Sequence, residues 1–453
     1  MITNDLGIYI HIPFCVRKCP YCGFLSAPPE SESQIGLYVD ALVKEIGMAG
    51  SAYGPGRQAD TVFVGGGTPS VLEPGQIQKI FGALRDSFTI TGDPEITIEA
   101  NPGTLTKEKL KAFRDCGINR LSIGVQSLDD DILARLGRIH RKRDVLSSYE
   151  MARDAGFENI NLDLMFGLAG QSRKIWEKTL DEALALEPEH LSFYSLQIEE
   201  GTPFYDLYKA GRLDEASDEE ERRMHHMAIS AAEAAGLVHY EISNSAKSGR
   251  QCRHNLKYWS MEEYLGLGLG AHSYLRRADL SEDACEEEKG TDEFNRAEEK
   301  GAADAAGYSD ITGCRGIRYN NKEDMAGYLG SIARGALPVD EKSAAADTEN
   351  DAMGIYVFTA LRKRSGVDLE DFRKRFGKGF FQAFPQAEAH VARWQEQGLA
   401  EIITDTGSSV PGPAETEEEK SRYSSPAETE EGGYFRLTEK GIDKSNDIMS
   451  EFV

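Results

Sequence analysis

The chain has 453 residues, of which 76 are acidic and 51 basic, giving a formal net charge of −25 at neutral pH. This length predicts two or three domains rather than one hydrophobic core. The negative charge argues against binding to nucleic acid or to an anionic membrane, and no apolar run is long enough to predict a membrane span. Three of the seven cysteines fall within eight positions and no secretory signal is evident, which favours a cytoplasmic protein with a metal site.

Strand-like runs alternate with segments of helical periodicity over residues 8–196. Alternation of this kind predicts a parallel sheet with crossover helices, because parallel neighbours need a long connection. Six repeats predict a partial, open (β/α)6 barrel rather than a closed barrel of eight strands. The six runs are Ile8–Ile12, Thr61–Val64, Glu95–Glu99, Leu121–Val125, Asn161–Phe166 and Leu191–Leu196.

Polar or glycine-rich residues lie at or close to the ends of the first five of these runs. In parallel α/β folds the carboxyl ends of the strands carry the ligand site. These residues are therefore expected to form one shared site. They are the cysteine-rich loop after the first strand, Gly65-Gly66-Gly67-Thr68, Glu99-Ala100-Asn101-Pro102, Gln126 and Asp163.

The pattern changes after Gly201, where a mainly helical region begins. Asp and Glu dominate residues 279–310, which we interpret as a solvated insertion. Helical patterns after residue 350, followed by a strand near 434–437, predict a small winged-helix-like C-terminal domain. A six-residue segment at 413–418 recurs at 426–431 and is expected to extend a hairpin as a low-complexity loop.

The chain is accordingly predicted to have three domains. Residues 1–236 are expected to form the partial barrel, and residues 350–453 the winged-helix-like domain. Residues 237–349 form a connecting region that contains the acidic insertion and a His-Asn-x-x-Tyr-Trp motif.

The first strand leads into a loop with cysteines at positions 15, 19 and 22. Thiolates are the usual ligands of iron–sulfur clusters, and an ordinary four-iron cluster takes four of them. Three cysteines, Cys15, Cys19 and Cys22, would leave one iron free to bind S-adenosylmethionine (SAM) through its amino and carboxylate groups. A zinc site is the alternative, with His11 or Cys252 as fourth ligand, although structural zinc cysteines usually come in two pairs.

The run from Tyr9 to Cys22 resembles radical SAM proteins of the oxygen-independent coproporphyrinogen oxidase-like group. The C-terminal stretch after residue 350 is similar as well, so the resemblance covers most of the chain. Four further motifs match in the same order: Phe63-Val-Gly-Gly-Gly-Thr-Pro-Ser70, Glu99-Ala-Asn-Pro102, Gly124-Val-Gln-Ser127 and Asn161-Leu-Asp-Leu164. One departure is Gly23, where the group usually has Asp after the third cysteine, so that a loop-capping hydrogen bond is expected to be lost.

The resemblance implies a [4Fe-4S] cluster, SAM, and a role in the SAM site for nine residues. The aromatic pair should flank the cluster, and the Gly-Gly-Thr backbone should meet the methionyl end. The carboxylates and Gln126 should line the pocket, with Asp163 facing the ribose hydroxyls and Arg138 pairing with a carboxylate. The nine are Tyr9, Tyr21, Gly66, Gly67, Thr68, Glu99, Gln126, Arg138 and Asp163.

Each of these positions also has a purely structural interpretation. The glycines can form a tight turn, and Glu99 or Asp163 can solvate a strand end or cap a helix. The assignment of Arg138 competes with a surface-charge role, because Arg141 and Arg143 are close by in the sequence.

Three features favour the HemW-type heme chaperones of this group over the oxidase, which decarboxylates two propionates of coproporphyrinogen. The oxidase pattern has a fourth cysteine where this chain has Phe24. Only fourteen residues precede Cys15, too few for the oxidase's N-terminal arm. The run His254-Asn-x-x-Tyr258-Trp259 matches the HemW signature.

The resemblance therefore implies a heme chaperone that binds heme and passes it to an acceptor protein, with an electron donor as a further partner. An enzyme that modifies a porphyrin, such as the oxidase, is the alternative. A neutral imidazole is a good axial ligand for heme iron, and His254 is the candidate, with Tyr258 and Trp259 covering the macrocycle. A hydrogen-bonded structural role is the alternative for His254, and His272 is the alternative ligand.

Overall fold

The computed structural model of the protein describes residues 5–276, 316–404, 409–410 and 433–453. The predicted acidic insertion and both copies of the repeated six-residue segment lie outside the described residues.

Six parallel strands form the first half of the molecule, each joined to the next by one or two helices. They pair in sequence order, which confirms the predicted partial, open (β/α)6 barrel. The strands are β1 (Asp5–Ile12), β2 (Gln58–Gly66), β3 (Thr89–Ala100), β4 (Arg120–Gln126), β5 (Ile160–Phe166) and β6 (His190–Ser195). The helices between them are α1 (Glu32–Tyr53), α2 (Pro74–Ser87), α3 (Lys107–Asp115), α4 (Asp130–Arg135), α5 (Lys142–Asp154) and α6 (Arg173–Leu184).

Burial and helix capping explain why these elements form. All seven residues of β4 are buried, as expected for a strand that has the barrel interior on one face and helices on the other. Helices α1, α3 and α6 begin after Ser31, Thr106 and Ser172, whose hydroxyls accept hydrogen bonds from the first turn. The helices pack on the outer face of the strands in one continuous apolar core.

The sheet continues on both sides of the six parallel strands to a total of twelve among the described residues. On one side β9 pairs in parallel with β1, and antiparallel strands follow it. On the other side β6 pairs antiparallel with β8. The added strands are β7 (Val238–Glu241), β8 (Asn244–Ala246), β9 (Tyr264–Leu267), β10 (His272–Arg276), β11 (Gly316–Asn320) and β12 (Ala345–Asp347), with helices α7 (Pro203–Lys209), α8 (Asp218–Ala234), α9 (Arg253–Trp259) and α10 (Met325–Ala333).

The C-terminal region has its own aromatic-rich core and a separate four-stranded antiparallel sheet. Four helices precede the strands β14, β15 and β16, as the sequence predicted, and two further short helices follow them. The domain boundaries proposed from the sequence stay predictions. The elements are α11 (Glu349–Ala360), β13 (Val367–Asp368), α12 (Leu369–Phe376), α13 (Phe380–Ala383), α14 (Ala387–Glu396), β14 (Ala400–Thr404), β15 (Ser409–Val410), β16 (Gly433–Leu437), α15 (Glu439–Ile442) and α16 (Ser445–Met449).

Among the described residues, every helix is too short or too polar to cross a lipid bilayer.

Candidate functional site

The cysteine-rich loop begins directly after β1, at the carboxyl end of the barrel. Two backbone hydrogen bonds close its base: Cys15 N donates to Ala27 O over 3.1 Å, and Ala27 N donates to Pro13 O over 3.0 Å. Within the loop Cys22 N donates to Cys19 O over 3.1 Å, which forms a tight turn. The three cysteines therefore lie on one short loop with a fixed base.

The three thiols are reduced and partly exposed. Burial raises the pKa of Cys22, and the charges of Cys15 and Cys19 raise it further, so the three sulfur atoms lie within electrostatic reach of one another. Thr68 Oγ1 donates to Cys15 Sγ over 3.5 Å, and Arg138 Nη1 to Cys19 Sγ over 3.6 Å. A guanidinium beside thiolates offsets the negative charge that a thiolate-ligated cluster brings.

The zinc alternative gains no support from this geometry. Among the described residues no three His, Cys, Asp or Glu side chains converge closely enough for a single ion. His11 is engaged elsewhere: its Nε2 lies 2.8 Å from Leu25 O and its Nδ1 lies 3.0 Å from Tyr9 Oη. Cys252 is fully buried beside Glu95, at the opposite end of the barrel. Thiols spread around a loop suit a multi-iron cluster better than one tetrahedral ion.

The glycine segment after β2 packs against the start of the cysteine-rich loop. Gly67 N donates to Ile12 O and Thr68 N to Phe14 O, each over 2.8 Å, and Gly66 N donates to Glu99 Oε2 over 3.1 Å. These three amides are therefore occupied within the protein, while the role of the segment in the SAM site stays a prediction.

Gly66→Ala tests the close packing of this turn. Gly66 has a φ of +107°, and a Cβ there would lie 2.4 Å from the His11 ring. We expect the variant to lower the free energy of unfolding by about 2 kcal/mol or more, through strain and overpacking. Gly82→Ala is the matched control, because Gly82 lies within α2 with open space around its missing Cβ and should gain about 0.5 kcal/mol. Denaturant unfolding measures both, and equal effects would contradict the prediction.

Asn101 joins the glycine segment to Arg138 and was not singled out from the sequence. Its Nδ2 donates to Thr68 Oγ1 over 2.7 Å, and its Oδ1 accepts from Arg138 Nη2 over 2.6 Å. Arg138 Nη2 also donates to Gly124 O over 2.8 Å. Arg138 thus belongs to the cysteine site rather than to the surface. The signal for Asn101 was its place in the Glu-Ala-Asn-Pro motif at a strand end.

Glu99, Tyr9 and Asp163 face one another inside the barrel. Burial raises the pKa of Glu99 to about 8, and the charge of Asp163 contributes to this shift. Burial, together with the charge of Glu99, raises the pKa of Tyr9. Burial likewise raises the pKa of Asp163, whose carboxylate accepts from Asn161 Nδ2 over 2.7 Å and from Ser122 Oγ over 3.1 Å. All three residues are only partly exposed, so the interior of the site is an acidic pocket in which a cationic ligand would be stabilised.

Gln126 ends β4 with a φ of +66°, a conformation that is unusual for a residue other than glycine. The β4–β5 register shifts at this point, and Gln126 Oε1 accepts from Tyr194 Oη over 3.0 Å. Backbone strain of this kind is frequent at binding sites.

Tyr21 packs beside the cysteines against Phe204, with ring centroids 6.1 Å apart.

Gly23 carries a compensating contact. A Cβ at this position would lie 2.9 Å from Glu199 Cγ, so the side chain of Glu199 occupies the space beside the glycine. Glu199 therefore lies where the side chain of a larger residue at position 23 would begin, although Gly23 itself stays exposed.

His254 lies toward the amino ends of the strands, whereas the cysteines lie at the carboxyl end, and the Phe63 ring separates it from Tyr9. It is 1% exposed, its Nδ1 is 2.9 Å from Thr61 Oγ1, and its Nε2 is 2.9 Å from Tyr258 Oη. Its backbone N donates to Glu95 Oε1 over 3.0 Å, and its ring stacks on Phe63. Burial lowers the pKa of His254 to about 3. Both ring nitrogens are thus engaged, which is the geometry of the structural alternative.

His272 is placed differently. It begins β10 at the end of the sheet that also holds the carboxyl end of β1, and its side chain is exposed. It lies on the same face of β10 as Tyr274, which packs against Tyr264. The charge of His272 contributes to lowering the pKa of His11, after the larger effect of burial, so the two imidazoles are close.

A buried carboxylate fixes the turn before His272. Glu45 is 1% exposed and accepts from Gly268 N, Tyr328 Oη and Asn321 Nδ2 over 3.0, 2.5 and 2.7 Å. Burial raises the pKa of Glu45 to about 7. This network ties α1 to the turn, so His272 is held on a rigid support.

Glu45 predicts a pH dependence of stability. Because its pKa is higher in the folded protein than in the unfolded chain, its contribution is complete below the unfolded pKa and is lost as pH rises through about 7. The stability of the native chain relative to Glu45→Gln should therefore fall by about 2 kcal/mol or more between about pH 5 and pH 7.5. Urea unfolding at several pH values measures this difference. Glu150→Gln, a surface change, serves as control, and a difference that does not vary with pH would refute the assignment.

Comparison with known proteins agrees with this architecture. Residues 9–183 match the radical SAM superfamily, and residues 348–406 match the HemN C-terminal domain. The solved structure described as "Coproporphyrinogen III oxidase (HemN) from Escherichia coli is a Radical SAM enzyme" superposes with a TM-score of 0.73 at 20% identity, covering 100% of this chain and 91% of that one. That likeness shows the fold alone. The barrel, its cysteine-rich loop and the family match together define a radical SAM protein.

Sequence relatives identify the family to which this chain belongs among the radical SAM proteins. The heme chaperone HemW of Bacillus subtilis is 37% identical over 393 residues, covering 86% of this chain and 91% of that protein. The heme chaperone HemW of Escherichia coli is 41% identical over 267 residues, covering 59% of this chain and 69% of that protein. The chain belongs to the HemW family.

Proposed function

We propose that this protein is a heme chaperone, which binds a [4Fe-4S] cluster, SAM and heme, and passes heme to an acceptor protein of the respiratory type. The observation that carries the proposal is the similarity to the Bacillus subtilis heme chaperone HemW over 91% of that protein's length. The protein is proposed to act in the cytoplasm and to receive electrons from a separate donor.

The cluster is proposed to bind Cys15, Cys19 and Cys22, with SAM on the remaining iron. The thiols suit this role because they share one loop and lie within electrostatic reach of one another. When bound, the cluster supplies an electron that can cleave the sulfonium bond of SAM. In this proposal Arg138 offsets the charge at Cys19, and Thr68 orients Cys15.

SAM is proposed to lie between the glycine segment and the acidic interior of the barrel. Its cationic sulfonium and amino groups suit a pocket lined by Glu99, whose ionised form a nearby positive charge would favour. The backbone of Gly66, Gly67 and Thr68 is proposed to meet the methionyl end of SAM. Gln126 and Asp163 remain proposed pocket residues, because both face the same interior.

Heme is the proposed cargo, and His272 is the histidine whose geometry supports ligation better. His254 is buried with both ring nitrogens hydrogen-bonded, so it would have to leave its partners to bind iron. His272 is exposed at the carboxyl side of the barrel. The neighbouring turn packs against the cysteine-rich loop, since a Cβ on Gly270 would lie 2.4 Å from Leu25 Cδ2. Phe24, which precedes Leu25, is 69% exposed and offers an apolar face to a macrocycle.

Anaerobic purification, cluster reconstitution and titration with heme test the proposal. A saturable heme complex on the cluster-loaded protein is expected, together with a spectral response of the cluster to SAM. Transfer of the bound heme to an apo-cytochrome would establish the chaperone step. Absence of a saturable complex would refute heme carriage. Formation of protoporphyrinogen from coproporphyrinogen, with SAM and a reductant, would establish the oxidase instead.

A further inference from the structure

A run of basic residues stands out in this acidic chain. Positions 135–143 read Arg-Leu-Gly-Arg-Ile-His-Arg-Lys-Arg, with five Arg or Lys and no Asp or Glu. The whole chain has 25 more acidic than basic side chains. Arg138 is used in the site described above, and Lys142 pairs with Glu182 over 2.7 Å, which leaves the charges of Arg135, Arg141 and Arg143 to be explained.

This run packs against the cysteine-rich loop. The Arg17 guanidinium donates to Gly137 O. A Cβ on Gly137 would lie 2.7 Å from Pro20 Cδ, so the two segments are in close contact. Arg138 extends inward to Cys19 at the same point. The basic run and the loop therefore form one continuous surface.

Two apolar side chains lie on this surface among cations. Val16 is 58% and Ile139 is 54% exposed, although both are large and hydrophobic. Arg17 and Arg141 are exposed and form no ion pair with another described residue. The Arg143 side chain is 82% exposed, with its Nε 3.6 Å from Asp144. We call these five residues the basic patch.

We infer that the basic patch docks a small acidic protein that carries one electron. This inference rests on the proposed cluster. A chain with a charge of −25 repels acidic proteins at long range. The basic patch is a local excess of positive charge beside the loop that would hold the cluster, with Asp130 and Asp144 at its edge. An apolar centre with a charged rim is the usual composition of a small, transient protein interface. Opposite charges across such an interface chiefly raise the rate and specificity of association.

The basic patch faces a different side of the barrel from the proposed heme site. Arg17 and Pro20 contact the segment that follows β4, whereas Leu25 contacts the turn that precedes β10. Strands β1, β2 and β3 lie between those two sides in the sheet.

The electron balance of the encounter is simple. The reduced carrier loses one electron and the cluster gains it, with no bond made or broken in the carrier. The basic patch contributes binding and orientation only.

Binding of a purified flavodoxin, an acidic one-electron carrier, to the reconstituted protein tests this inference. Isothermal titration calorimetry at rising ionic strength should show that Kd rises steeply with salt concentration. The double variant Arg17→Glu with Arg143→Glu should raise Kd by about tenfold or more. Lys44→Glu/Lys111→Glu is the matched control: it changes the net charge equally, on the outer helices α1 and α3, and should weaken Kd by less than about threefold.

Equal weakening by the two double variants would overturn the inference, because net charge alone would explain it. Binding that is unaffected by the basic-patch variant would also overturn it. Calorimetry detects the carrier whether or not a cluster is present. A protein that binds flavodoxin but takes up no cluster would therefore refute the proposed function while leaving the docking surface intact. The rate of cluster reduction, measured by stopped flow, should likewise fall more in the basic-patch variant than in the control variant.

Discussion

Cys19→Ser is expected to abolish the iron–sulfur cluster. The wild-type protein, reconstituted anaerobically, should hold about four irons per chain with the broad visible absorption of a [4Fe-4S] cluster. The serine hydroxyl is not ionised at neutral pH and is a poor ligand for iron, so the variant should hold less than about one iron per chain. Iron and sulfide assays with absorption spectra measure this loss.

Cys116→Ser separates cluster loss from a general effect of removing a thiol. Cys116 is buried at the end of α3 and lies outside the site. This variant should keep its full iron content. Cys15→Ser and Cys22→Ser should behave like Cys19→Ser. Retention of a complete cluster by any two of these three variants would refute the assignment of ligands.

Much of the fold was predictable because its signals are local. Buried parallel strands appear as short apolar runs, and the six predicted runs fall at β1–β6 with ends that differ by a few residues. The cysteine-rich loop was equally plain, since its ligands are close in sequence. Arg138 was harder, with Arg141 and Arg143 nearby, and only the fold shows that it lies beside Cys19.

Contacts between distant segments could not be read from the sequence. Glu45 accepts a hydrogen bond from the amide of Gly268, which is 223 positions away in the sequence. The same limit applies to His254. Its motif identified the family, but the motif does not say at which end of the barrel α9 lies. The hydrogen bonds to Thr61 and Glu95, from β2 and β3, place it at the amino ends of the strands.

His272→Ala is expected to weaken heme binding without affecting the fold, and His254→Ala to destabilise the fold without affecting the heme ligand. Comparing the two variants therefore locates the heme. If His272 supplies the axial ligand, its removal should weaken heme binding by about tenfold or more and shift the heme absorption band. The fold should be unaffected, because the side chain is exposed. His254→Ala should keep the position of the heme band but destabilise the protein by about 2 kcal/mol, because the loss leaves Thr61 and Tyr258 without their partner.

Heme titration and thermal unfolding of both variants make the comparison. His390→Ala is a suitable control, since His390 lies in the C-terminal region beside Trp394 and Glu451. If His254→Ala is fully folded but loses the heme band, then His254, the histidine of the family motif, is the axial ligand. Such a result would also require the Thr61 or Tyr258 side chain to turn away, because iron cannot reach the His254 ring while these hydroxyls hold both of its nitrogens.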